Sequence, residues 1–128
     1  MIIQTGMRTD IPAIYPEWLI NRIKEGYVLV RNPYNPVQVT RYSLSTDVVD
    51  LITFCTKNPE RMFPYVDYLK QYGQYWFVTI TPYGKDIEPN VPDKNKMMES
   101  FRKLSDTVGV TSIGWRYDPI LVDAQHTV

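Results

Sequence analysis

Short apolar runs recur along the chain, separated by stretches whose hydrophobic period lengthens to that of a helix. "MIIQTG" (residues 1–6), "YVLV" (27–30), a run within "VVDLITFCT" (48–56), "QYWFVTITP" (74–82) and "VTSIGW" (110–115) are brief and dense in apolar residues. That pattern predicts strands covered on both faces. "VQVTRYSL" (37–44) alternates polar and apolar and reads as a peripheral ribbon or an edge strand. "PEWLINRIKEG" (16–26) predicts a helix, with Pro16 in the first turn and Gly26 as its stop. "NPERMFPYVDYLKQYG" (58–73) predicts a helix interrupted near Pro64. "PDKNKMMESFRKLSDTVG" (92–109) is the clearest helix, with Met97, Phe101, Leu104 and Val108 along one face.

Strand and helix alternate, with one ribbon-like excursion. The expected fold is α/β, a mostly parallel sheet of about five strands joined by crossover helices. It occupies a single domain over residues 1–128.

Composition narrows the function classes. Fourteen Lys and Arg balance 14 Asp and Glu, so there is no overall pull toward nucleic acid or anionic membrane. One cysteine, Cys55, excludes an internal disulfide and a self-contained cysteine-based metal site. No run approaches the length of a membrane span, and no secretory leader pattern opens the chain, so a cytoplasmic protein is the expectation. Ten prolines occur singly at the ends of apolar runs or the starts of helical ones, which fits ordered loops.

The segments that follow the apolar runs resemble one another. They are "RTDIP" (8–12), "RNPYNP" (31–36), "TKNPE" (56–60), "TPYGKD" (81–86) and "RYDPI" (116–120). Arg8, Arg31, Lys57, Thr81 and Arg116 are spaced by 23, 26, 24 and 35 residues, about one strand, loop and helix each. This spacing places them at the carboxyl ends of successive strands, where α/β folds hold their ligands. Converging cations would be relieved by an anionic ligand or by local carboxylates, of which Asp10, Asp86, Glu88 and Asp118 are near in sequence. Arg116 and Asp118, two apart, share a side of an extended chain. The predicted ligand-binding rim comprises Arg8, Asp10, Arg31, Asn32, Lys57, Asn58, Thr81, Tyr83, Arg116 and Asp118. For any single Arg–Asp pair the plainer alternative is a local ion pair or a helix cap.

Other chemistry is poorly represented. No glycine-rich phosphate loop is present. Cys55 reads as a buried inert thiol, and His126 as part of a terminal tail. Trp18, Tyr65, Tyr68 and Phe101 read as packing on the sheet. Tyr34, Tyr83 and Tyr117 lie in or beside strand-end segments and are candidates for stacking on a ligand. No metal site is expected. The leading function is a small-anion or nucleotide-like ligand site. Two alternatives are a noncatalytic interaction or scaffold domain and a single-stranded nucleic-acid-binding module built from Arg and Tyr.

"RTDIPAIYPEW", "GYVLVRNPYNPVQVTRYSLS", "TKNPERM", "TPYGKDIEPNVP" and "WRYDPI" together resemble the opening half of a bacterial family described as domain of unknown function 1848. The family resembles radical S-adenosylmethionine barrel proteins. The resemblance implies a partial, half TIM-barrel-like fold, with the strand-end segments facing the barrel mouth. It implies that a cysteine cluster for an iron–sulfur centre, and with it S-adenosylmethionine, belong only to full-length relatives. No cofactor is expected in this chain. Five strands fall short of the eight that close such a barrel, so self-association through open sheet edges is expected.

Overall fold

A computed structural model describes residues 1–127. The chain folds around a four-stranded parallel sheet made of β1 (Ile2–Gln4), β4 (Leu51–Thr56), β5 (Gly73–Thr79) and β6 (Ile113–Arg116), hydrogen-bonded in that order. A separate antiparallel hairpin pairs β2 (Tyr27–Arg31) with β3 (Val39–Ser43). The α-helices among the described residues are α1 (Ile11–Ile14), α2 (Pro16–Glu25) and α3 (Lys94–Val108).

This is the α/β class with a mainly parallel sheet that the alternation predicts. One apolar run went elsewhere. Tyr27–Arg31 is not a fifth parallel strand, and it is not covered on both faces. It pairs with the 39–43 ribbon, and Leu29, Val30 and Arg31 are exposed. The predicted helix over 58–73 is instead two 3-10 turns, Glu60–Tyr65 and Tyr68–Gln71. Pro64 lies inside the first of them, where it withholds a backbone donor from any continuous α-helix.

Local chemistry sets the helix ends. Asp10 caps α1 by accepting from the Ala13 N–H at 3.0 Å. Pro16 opens α2, and Gly26 closes it with φ of 77°, a left-handed conformation that costs glycine little. Asp93 caps α3 by accepting from the Asn95 N–H at 2.9 Å.

The core lies on one face of the sheet. β4 alternates strictly, turning Ile52, Phe54 and Thr56 inward. Trp76 and Val78 of β5 and Ile113 of β6 extend the same face. Leu19, Ile20 and Ile23 of α2, Met62, Val66, Leu69 and Tyr72 around the 3-10 turns, and Leu104 of α3 close over it. Phe54 and Trp76 stack with ring centroids 4.0 Å apart. Tyr65 and Phe101 pack partly against this core, as expected. Trp18 and Tyr68 do not, being 45% and 42% exposed on the outer sides of their segments.

The opposite face carries Thr53 and Cys55 of β4, Tyr75 and Phe77 of β5, and Gly114 of β6, none of them fully buried. All the helices pack on one side, and strand order follows chain order without reversal. That is how a barrel wall is built, rather than a doubly wound sheet with helices on both faces. No helix among the described residues is long and apolar enough to cross a membrane.

Candidate functional site

The carboxyl ends of all four parallel strands border one open cleft of about 350 Å³. The β1 exit supplies Gly6, Thr9 and Asp10, and the β4 exit supplies Cys55, Thr56 and Lys57. β5 adds Thr79, and the β6 exit adds Arg116, Asp118 and Pro119.

Arg116 sets the electrostatics. One guanidinium nitrogen lies 3.5 Å from Cys55 Sγ, and another pairs with the Asp118 carboxylate. The contact with Cys55, then that with Asp118, pushes the proton affinity of Arg116 up further. Arg116 and Asp118 remain 48% and 53% exposed, so their ion pair is open to water.

Asp10 has a fixed structural duty. While capping α1, it also accepts from the Lys57 N–H at 2.9 Å, which ties the β1 exit to the β4 exit. Gly6 permits that approach. A Cβ there would lie 2.6 Å from the Cys55 Cβ, well inside the separation of nonbonded carbons. Both β-carbons are fixed to backbone, so Gly6→Ala must push the strands apart. The expected cost is about 1–3 kcal/mol in urea denaturation, and an unchanged midpoint would show that the strand ends are not packed in this way.

Lys57 is engaged in a network around a buried carboxylate. Its ammonium pairs with Glu88, which also takes Lys94 and accepts from Thr81 Oγ1 at 2.7 Å. The Glu88 side chain is 8% exposed. Burial pushes its carboxyl up, but the hydrogen bonds from Lys57, Lys94 and Thr81 outweigh it and hold the pKa at about 2.

Of the ten residues predicted for the rim, Asp10, Lys57, Arg116 and Asp118 border the cleft. The other six are placed differently. Arg8 donates to the Arg31 carbonyl at 2.8 Å, and the Arg31 side chain is exposed at the end of the hairpin. Asn32 shapes the hairpin turn through Gln38 and the Tyr34 N–H. Asn58 organises the start of the 3-10 turn by accepting from the Glu60 N–H. Thr81 is buried on Glu88. Tyr83 is 5% exposed, its oxygen accepting from the Leu121 N–H, so it is no open stacking surface. Tyr34 and Tyr117 are exposed.

The chain also brings in groups that the strand-end comparison passed over. Cys55 is not sealed in the core but partly exposed in the cleft, because its place in the β4 alternation puts it on the open face. Thr9 and Thr79 line the same cleft. Lys94 reaches Glu88 from the first residue of α3. His126 is half-buried, with Nδ1 2.9 Å from Asp123 and its ring 5.5 Å from that of Tyr83.

Among the described residues no group of three or more His, Cys, Asp or Glu side chains is placed to hold a metal ion. An iron–sulfur cluster takes several cysteine thiolates. This chain has Cys55 alone, so its residues do not fit that cofactor.

Neither the curated proteins nor the solved structures give a match. A family model does: the one described as Domain of unknown function (DUF1848) matches residues 2–128. That match takes in every strand of the sheet and all four exits around the cleft, and the chain belongs to this family.

Proposed function

We propose that the strand-end cleft binds a small anionic molecule, phosphorylated or carboxylated, with Arg116 as its anchor. The supporting observation is the state of Arg116. Its guanidinium borders a concave opening, and its only charged partner among the described residues is the exposed Asp118. An exposed ion pair is worth about 0–1 kcal/mol, so a ligand anion making two parallel hydrogen bonds competes with it easily. Asp118 is then released to accept from a donor on the same ligand. Lys57 lends its charge to the rim while held by Glu88, and the hydroxyls of Thr9 and Thr79 supply neutral contacts.

The test is titration calorimetry with inorganic phosphate, adenosine monophosphate and S-adenosylmethionine. The adenosyl compound, a cationic sulfonium, serves as the non-phosphorylated member of the panel. Arg116→Ala is expected to weaken binding of an anionic member about 10- to 100-fold, the loss expected for a charge-assisted hydrogen-bonded contact. Arg31→Ala, at the end of the hairpin, is expected to leave it unchanged. Equal binding by wild type and Arg116→Ala removes the proposal.

One observation favours a noncatalytic interaction domain instead. The rim cations Lys57 and Arg116 already have carboxylate partners within the chain. If no anion of the panel binds at low salt, this second reading takes precedence.

A further inference from the structure

We infer that the face shared by α2 and the β2–β3 hairpin docks single-stranded nucleic acid, with Arg22, Arg31 and Arg41 on its phosphates and Trp18 against a base. None of these residues borders the strand-end cleft, so the inference stands without the ligand reading. It starts from how charge is distributed. The chain is neutral as a whole, but residues 18–46 hold Arg22, Lys24, Arg31 and Arg41 against Glu25 alone, a net of +3. None of those four cations pairs with a carboxylate among the described residues, whereas Lys57, Arg61, Lys70, Lys94, Lys96 and Arg116 all do. The neutralised cations lie elsewhere, and this face keeps an uncompensated positive field.

The fold gathers the three arginines on one surface. In the hairpin register Leu29 faces Arg41 and Arg31 faces Val39, so Tyr27, Leu29 and Arg31 share a face with Val39 and Arg41. Arg31 and Arg41 are diagonal neighbours on it, about 7–8 Å apart at their Cα atoms. Arg22 reaches the same face from α2. Its guanidinium carbon lies 5.9 Å from the Tyr27 ring centroid, and that of Arg41 lies 4.2 Å from it. Stacking on the ring orients these guanidiniums and leaves N–H donors for phosphate oxygens. Beside Arg22, a depression of about 280 Å³ is bordered by Trp18, Asn21, Val28 and Leu29. The exposed indole is a stacking platform for one unpaired base, and the Asn21 amide offers a donor and an acceptor to its edge. Tyr34, 95% exposed at the hairpin tip, is a second platform.

The pattern favours a single strand over other polyanions. A duplex keeps its bases stacked on one another, which would leave Trp18 and Tyr34 unused. An anionic membrane calls for a continuous apolar face beside the cations. Here every cross-strand pair on the face sets an apolar or aromatic residue against a polar one: Tyr27 with Ser43, Leu29 with Arg41, Val39 with Arg31. Such a mixed surface suits a strand that offers phosphate and base in alternation. Three of the four cations are arginines, which fork onto phosphate and also stack on bases.

The test is fluorescence anisotropy with a labelled oligothymidylate of about 12 nucleotides, set against a duplex of the same length. The expected dissociation constant for the single strand is about 1–100 µM at physiological salt, at least about tenfold below that for the duplex. Three phosphate contacts predict a slope of about −2 for log affinity against log salt. The double variant Arg22→Ala/Arg41→Ala is expected to bring the slope to about −0.7 and to weaken binding at least about tenfold. Trp18→Ala, which trims an exposed indole, is expected to weaken binding at least about fivefold and to leave the slope unchanged. Lys70→Ala, which removes a cation paired with Asp67 outside this face, is the control expected to bind like wild type. Far-UV circular dichroism checks that the variants stay folded; if the double variant does not, the wild-type slope and Trp18→Ala decide. No binding at low salt, an affinity independent of salt, a duplex bound as tightly, or binding indifferent to both Trp18→Ala and the double variant overturns the inference. Phosphatidylserine vesicles or polyglutamate bound in place of the oligonucleotide would assign the face to a membrane or an acidic peptide and overturn it equally.

Discussion

Trp76→Ala is expected to cost about 3–5 kcal/mol, the range for removing a fully buried large aromatic from a core. Trp76 has 0% exposure and stands in the middle of the core face. Its ring stacks on Phe54 at an interplanar angle of 18°, and Nε1 donates to Gln74 Oε1 at 3.1 Å. Alanine removes the stack, opens a cavity between β4 and β5, and leaves Gln74 without its donor. A domain of this size has about 5–15 kcal/mol in total, so the loss is a large fraction of it. The melting temperature is expected to fall by roughly 10–20 °C. Trp18→Ala, which trims an exposed indole, is the comparison and is expected to move it by no more than a few degrees. A fall of under about 3 °C for Trp76→Ala would mean that the core does not centre on the β4–β5 pair.

The second large effect concerns Glu88. Its carboxyl has a pKa of about 2 in the fold against an ordinary value of 4.5. A lowered carboxylate pKa stabilises the fold above the unfolded value, and that contribution drains away as pH falls through the folded one. The window is therefore pH 4.5 down to about 2. Lys57 and Lys94 are 34% and 28% exposed, so water screens part of their charge. With that discount the contribution at neutral pH is roughly 2–3 kcal/mol. Glu88→Gln is expected to lose this amount at pH 7 in urea denaturation. Its deficit against wild type is then expected to shrink steadily below pH 4.5. Other carboxylates titrate in the same range, so the difference between the two proteins is the quantity to read. A deficit that stays constant with pH would separate the cost of the substitution from the Glu88 charge.

The parts of the fold that were legible in the sequence are those whose cues are local. α2 and α3 announce themselves through periodic apolar residues between a proline or aspartate start and a glycine stop. The β4 and β5 runs are long enough in apolar residues to read as strands. Tyr27–Arg31 was misleading for a physical reason. Its apolar composition fits a buried strand, but a short apolar run does not encode its partner, and here a nearby ribbon provides one. The 58–73 segment carries helical spacing, yet Pro59 and Pro64 leave too few backbone donors for a continuous helix.

The candidate site divides along the same line. Arg116 and Asp118 were readable because a strand exit puts residues two apart on one side. The fate of Lys57 was not, since its partner Glu88 lies 31 residues away and is held in turn by Lys94 and Thr81. Glu88 was visible only as one carboxylate among several near the rim. Cys55 was misread because an unbroken apolar run hides which of its residues faces the helices. The β4 register decides that, and it turns Cys55 the other way.

The agreement between strand order and chain order also bears on how the polypeptide matures. Each later strand of the parallel sheet adds to its immediate predecessor: β4 to β1, β5 to β4, β6 to β5. No strand has to be threaded between two already in place. A chain emerging from the ribosome can lay its sheet down one addition at a time, with growth confined to a single advancing border.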